Sequence, residues 1–184
     1  QLYITFSIPD ISDAIRRLEK CVAEIDALMA RNKLKLNGAK TEFLFTGTPS
    51  LLKQLNSPTV KIGEAVVTPS ESVRNLGVIF DEGLTMEQQV KAVCKSCGPH
   101  IRNIGKIRQF LTPHATEQLV HSFITSRLDG CNSLLYGVPE TLISHLQQIQ
   151  HTAARIVSKT HKYEHITPVM KSLHWLPIRE RIDF

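Results

Sequence analysis

The stretch VRNLGVIFDEGLTMEQQVKAVCKSCGPHIRNIGKIRQF, residues 73–110, contains the change of period that decides the fold class. Residues 73–80 read as an apolar β-strand, closed by the turn residues Asp81, Glu82 and Gly83. From Met86 the apolar positions recur at helical spacing instead. On an ideal helix of about 100° per residue, Val90, Val93, Cys94, Cys97, Ile101, Ile104 and Ile107 gather on one side. Lys91, Lys95, Arg102 and Lys106 fall within an arc of about 60° on the other. The spacing predicts a helix with a core face and a cationic face, kinked at Pro99, which removes one backbone donor.

Upstream of this stretch the pattern mixes strands with one long helix. Residues 2–6 read as a short strand. After Asp10, Ile11, Ile15, Leu18, Val22, Ile25 and Met29 recur at alternating spacings of four and three, one face of an amphipathic helix. Residues 33–36 and 40–45 predict a hairpin around Asn37-Gly38, a dipeptide that favours a tight turn with positive φ. Residues 49–58 read as a loop. A second hairpin is expected from 60–62 and 65–67 around Gly63-Glu64, ended by Pro69 and Ser70. Downstream, helices are expected over 86–110, 113–126, 139–158 and, briefly, 168–173, with Pro113 and Pro139 in first-turn positions. The fold class is therefore α+β: a helix with short antiparallel strands, then an all-α bundle, divided near Leu84.

At 184 residues and 42% hydrophobic composition the chain can bury a real core. It has no run of 18 apolar residues, and its first residues lack the pattern of a signal peptide, so an intracellular location is expected, with nothing to separate nucleus from cytoplasm. The start at Gln1 and the stop at Phe184 lead us to expect an excised piece of a longer protein. Cys21, Cys94, Cys97 and Cys131 are scattered through a chain too large to need stapling and read as thiols. The net charge of +5 is uneven. Residues 1–85 hold ten Lys/Arg against ten Asp/Glu, and residues 86–184 hold twelve against seven. An anionic partner such as a nucleic-acid backbone would lie against the second half.

Motifs that carry chemistry are few. No Gly-x-Ser-x-Gly elbow or phosphate-binding glycine loop is present, and the six aspartates do not pair as two-metal chemistry requires. Cys94 and Cys97 with His100 have half the spacing of a zinc site, but no second cysteine pair follows, so both thiols read as small hydrophobes of a core face. His161 and His165 could share a helical face as ligands, or lie exposed in a loop. The cationic arc on residues 91–106 has two readings, a surface that tracks phosphates or an ordinary solvated face.

Three blocks in order then narrow the field: Ser126-Arg-Leu-Asp-Gly-Cys-Asn-Ser-Leu-Leu-Tyr-Gly-Val-Pro139, Leu146-Gln-Gln-Ile-Gln-His-Thr-Ala-Ala-Arg-Ile-Val157, and Ile166-Thr-Pro-Val-Met-Lys-Ser-Leu-His-Trp-Leu-Pro-Ile178. With Leu34-Lys-Leu-Asn37, Lys40-Thr-Glu42 and Leu76-Gly-Val78 they resemble the reverse transcriptases of non-LTR, LINE-type retrotransposons of the jockey-like clades. Leu34-Lys-Leu-Asn37 with Lys40-Thr-Glu42 looks like that family's fourth palm motif, and Leu76-Gly-Val78 looks like its following hairpin motif near the primer grip. The resemblance covers almost the whole chain. It implies that residues 1–83 are the end of the polymerase palm, 86–160 a helical thumb, and 161–184 the start of a connector. The family's metal-binding aspartates, the second set in a Tyr-Ala-Asp-Asp hairpin, precede this region and are absent here. Mg2+ is thus implied for the full-length family, no cofactor is expected in this chain, and the chain alone is expected not to polymerise DNA.

By the same resemblance the partners would be an RNA or DNA primer–template and the missing N-terminal polymerase region, with no membrane and no small-molecule substrate. Lys91, Lys95, Arg102 and Lys106 would face that nucleic acid, and Leu76 and Gly77 would touch the primer through their backbone. Lys40 would protonate departing pyrophosphate, or it is a strand-edge lysine that solvates a sheet. Trp175 would stack a base or pin the connector to the thumb. The alternative is a non-catalytic helical protein-interaction module or the remnant of a decayed element.

Overall fold

A computed structural model describes residues 1–55, 58–63 and 65–184. The protein is α+β and falls into two compact units, Gln1–Thr85 and Met86–Phe184.

The first unit begins without regular structure. Residues 2–6, expected as a strand, form none. They find no partner ladder, and Phe6 packs its ring edge-on against Phe45 instead (centroids 5.9 Å apart). Helix α1 (Ile11–Arg31) follows as its apolar period predicts. Its Ile15, Leu18 and Val22 cover strand β1 (Val60–Ile62), where Val60 and Ile62 are buried. The Lys61 N–H donates to Glu19 Oε1 at 2.7 Å, tying strand to helix. Strand β1 pairs antiparallel with β2 (Ala65–Val67) in the register Val60↔Val67, Lys61↔Val66, Ile62↔Ala65. This is the expected 60–67 hairpin, with Gly63 at φ +60°; Glu64 lies outside the described residues.

Three further expectations fail in this unit, each for a local reason. Residues 33–45 form no hairpin: Asn37 keeps φ −93°, and Gly38–Lys40 make a 3-10 turn in which the Lys40 N–H and the Thr41 hydroxyl both donate to the Asn37 carbonyl. Only Phe43 is bridged, in parallel, to Pro69. Residues 49–58 include one helical turn, α2 (Pro49–Leu52), with proline where its missing N–H costs nothing; Asn56 and Ser57 lie outside the described residues. Residues 73–80 are not one strand but the hairpin β3 (Ser72–Asn75) and β4 (Val78–Asp81), paired Ser72↔Asp81 to Asn75↔Val78.

The second unit is helical. It opens with α3 (Glu87–Ile107), extended by a 3-10 turn at Arg108–Phe110, and continues with α4 (Pro113–Val120). A π-helical turn (His121–Thr125) leads into α5 (Ser126–Leu128). Pro99 lies inside α3, which runs through it. The Thr112 hydroxyl accepts from the Ala115 N–H at 3.2 Å and caps α4. Helix α6 (Glu140–Ser158) is central, packing against α3 and α4 on one side and against α7 (Thr167–Ser172) and α8 (Ile178–Asp183) on another. Residues 161–184 are thus folded within this unit.

Polar clamps hold that last segment. The Gln150 amide donates to the Leu176 carbonyl (2.8 Å), the Ile178 N–H donates to Gln147 Oε1 (2.8 Å), and Gln147 donates to Gln150 (2.8 Å). The Arg181 guanidinium grips the Asp129 carboxylate with two nitrogens, Nε at 2.8 Å, and the Asn132 amide donates to the Arg181 carbonyl (2.8 Å). Arg179 pairs with Glu140. A bidentate, half-buried pair resists solvent screening better than a surface one. Asp129→Ala is expected to lower the unfolding free energy by about 2 kcal/mol in urea titrations of the full chain; a change within about 0.5 kcal/mol would mean the clamp is ornamental.

Candidate nucleic-acid interface

Helix α3 separates apolar from charged residues by its own geometry. Val90, Cys97 and Ile104 are buried, and α3 packs along α6 with them. The approach is close: a Cβ built on Gly105 would stand 3.9 Å from Ile156 Cδ1. With that face fixed inward, Lys91, Lys95, Arg102 and Lys106 are all exposed on the opposite edge. Lys91 pairs with Glu87 one turn earlier (2.6 Å). Arg102 folds back over Gly98, its Nη1 lying 3.5 Å from where a Cβ there would be. From Gln88 to Thr116 the sequence contains no acidic residue, so beyond Glu87 nothing on this helix opposes the positive field.

Among the described residues no third ligand joins Cys94 and Cys97. Cys97 is buried and Cys94 half-buried, and desolvation pushes both above the ordinary cysteine range. The neighbouring Cys97 raises Cys94 further, while Arg127 opposes the shift at Cys97. His100 is stacked on Phe123, 5.1 Å between centroids. His161 and His165 are exposed in the turn after α6, not on one helical face.

Among the described residues no three of His, Cys, Asp and Glu converge. The buried carboxylate of Asp81 accepts from the Thr85 N–H (2.8 Å) and hydroxyl (3.1 Å), capping the turn that ends the first unit. The donor set among the described residues does not fit a resident Mg2+ pair.

The other sequence-predicted residues stand apart. Lys40 is exposed at the end of its 3-10 turn, beside but not lining an open cleft of about 700 Å3 formed by Asp26, Lys35, Leu36, Asn37, Gly38, Ile62, Gly63 and Ala65. Trp175 is buried against His121, centroids 5.3 Å apart, so its ring is not available to stack a base.

Leu76 and Gly77 are the two-residue tip of the β3–β4 hairpin, at φ +47° and +89°. Two consecutive positive φ values suit Asn-Gly; a leucine there is strained, and this one is 94% exposed. Neither folding nor burial explains it. Apolar patterning alone hid this hairpin, because Val73 and residues 78–80 make the run look continuously apolar, whereas the resemblance at Leu76-Gly-Val78 implied a hairpin there.

No protein-family model, curated protein or solved structure matches this chain.

Two outcomes follow from these environments. A thiol reagent at neutral pH is expected to modify exposed Cys21 and Cys131 quickly and Cys94 and Cys97 slowly, since thiolate is the reactive form; equal rates at all four would contradict the burial described. Leu76→Asn is expected to stabilise the first unit by about 1 kcal/mol, because asparagine accepts the left-handed conformation more readily. A loss of stability on thermal melting would show that the leucine is a packing residue after all.

Proposed function

We propose that this chain is the palm-end and thumb portion of a LINE-type reverse transcriptase, and that it grips primer–template through the cationic edge of α3. The observation that carries the reading is the separation of faces on that helix: four exposed cations on one edge, an apolar face fixed against α6, and no carboxylate between Gln88 and Thr116. Such an edge holds phosphates by charge and reads no bases, so its affinity is salt-dependent and tolerant of sequence. The three sequence blocks of the second unit and the Leu76-Gly77 tip supply the family and the primer-side contact. The metal-binding carboxylates would come from an earlier part of a longer polypeptide, so this chain by itself is proposed to bind without polymerising. Lys40 keeps the role of candidate proton donor to pyrophosphate in that larger assembly.

A non-catalytic interaction module is the second reading. It is favoured by large apolar side chains left exposed in the first unit, Leu28, Leu34 and Leu51 among them.

Fluorescence anisotropy of a labelled primer–template separates the two. The unaltered chain is expected to bind, and to lose about a hundredfold in affinity over about a fourfold rise in salt, as four phosphate contacts require. The quadruple variant Lys91→Glu, Lys95→Glu, Arg102→Glu, Lys106→Glu, shown by circular dichroism to be folded, is expected not to bind. Equal binding by both proteins would remove α3 from the interface, and binding by neither would leave the interaction module as the better reading.

A further inference from the structure

The solvent side of α3 has a second edge. About 160–180° round from Lys91 on the helix lie His100 and Ile107. The His100 imidazole stacks face to face on Phe123 of the π-helical turn, with planes 14° apart. Phe123 keeps 41% of its surface exposed and Ile107 46%; Phe110, at the end of the 3-10 turn continuing α3, is 80% exposed. These side chains leave aromatic and apolar surface, which we term the ledge, exposed on the same unit as the cationic edge. Exposed Ser96, Pro99 and Asn103 lie between the two edges, none of them charged. The edges are separated by about 100° of a helix about 10–12 Å wide, a span comparable with that of one nucleotide from phosphate to base. They come closest at Lys106 and Ile107, which are consecutive.

A duplex stacks its bases internally and offers α3 only phosphates, leaving the ledge unused. A single strand offers both halves of the required chemistry, anionic phosphates and flat unpaired bases, and aromatic faces accept any base. A protein partner would need acidic and apolar groups at the same spacing, and the flat His100–Phe123 stack favours a planar ring over an irregular side chain.

We propose that this face of the second unit binds unpaired nucleotides, with phosphates on Lys95, Arg102 and Lys106 and bases stacked on Phe110 and on the His100–Phe123 pair. The proposal rests on the nucleic-acid reading of the cationic edge and narrows it to the single-stranded part of a template.

The test compares a labelled single-stranded oligonucleotide, a blunt duplex of the same sequence, and heparin, an anion without bases, each titrated with the full chain. Phe110→Ala and His100→Ala are each expected to weaken single-strand binding about tenfold and to leave duplex and heparin binding unchanged. Phe110→Tyr, which keeps the ring, is expected to retain single-strand affinity. If both alanine variants bind the single strand as the unaltered chain does while the charge-reversed protein binds nothing, the ledge is overturned and the cationic edge stands. Equal losses for single strand, duplex and heparin would also overturn it, since the ledge would then act without regard to bases. If charge reversal changes no affinity, or if the unaltered chain binds none of the three, the reading of the cationic edge falls and the ledge with it. Tighter capture of an acidic amphipathic peptide than of the single strand, abolished by Phe110→Ala, would assign the ledge to a protein and contradict the proposal.

Discussion

The burial of one face of α3 against α6 is the constraint on which the second unit depends. Val90, Cys97 and Ile104 go inward, and side chains of valine or isoleucine size each gain about 1.5–3 kcal/mol from leaving water. Rotating the helix to hide its lysines would forfeit that gain and place several cations in a low-dielectric interior. The same packing that stabilises the unit therefore fixes which residues meet solvent and keeps the four cations on a common edge. The hydrogen-bonded glutamines of α6 draw the last helix onto its other side. Asp129, Glu140, Arg179 and Arg181 close the arrangement at distances of 39 and 52 residues in sequence.

The first unit is held differently. A single amphipathic helix covers a two-stranded sheet, and the adjoining hairpin ends in a strained tip. Leu76 is unfavourable twice over, as a leucine with positive φ and as a large apolar side chain almost wholly in water. Strain of this kind persists where it serves something other than stability, and in the proposed polymerase this tip would touch the primer. Two carboxylates of this unit serve structural ends: Glu19 receives a strand N–H, and Asp81 caps a turn.

What could be read from the sequence was whatever one element decides for itself. The period of α1, the two faces of α3 and the Gly63 hairpin each depend on spacing within a segment, and each formed. The Asn37-Gly38 dipeptide misled because a turn signal needs two flanking strands willing to pair, and residues 33–36 and 40–45 form none. At Leu76-Gly77 the residue pattern misled in the opposite sense, since the first turn residue is of a type that turns usually avoid; there only the resemblance implied a hairpin. Helix α8 and the turn at Asn132–Leu135 escaped notice because their partners are remote: Asp129 with Arg181, Asn132 with the Arg181 carbonyl. At the candidate interface, the cationic edge was visible as an arc of about 60° on one helix, whereas the aromatic ledge requires His100 and Phe123 from different elements and could be seen only once both were placed.

The central claim is that the nucleic acid lies on α3. It is tested most directly by footprinting lysine acylation across the full chain, with and without saturating primer–template, and reading each site by mass spectrometry. Strong protection of Lys91, Lys95 and Lys106, with little change at Lys20, Lys53 and Lys171, is the predicted result. Protection spread evenly over all lysines, or confined to residues outside 87–107, would contradict it.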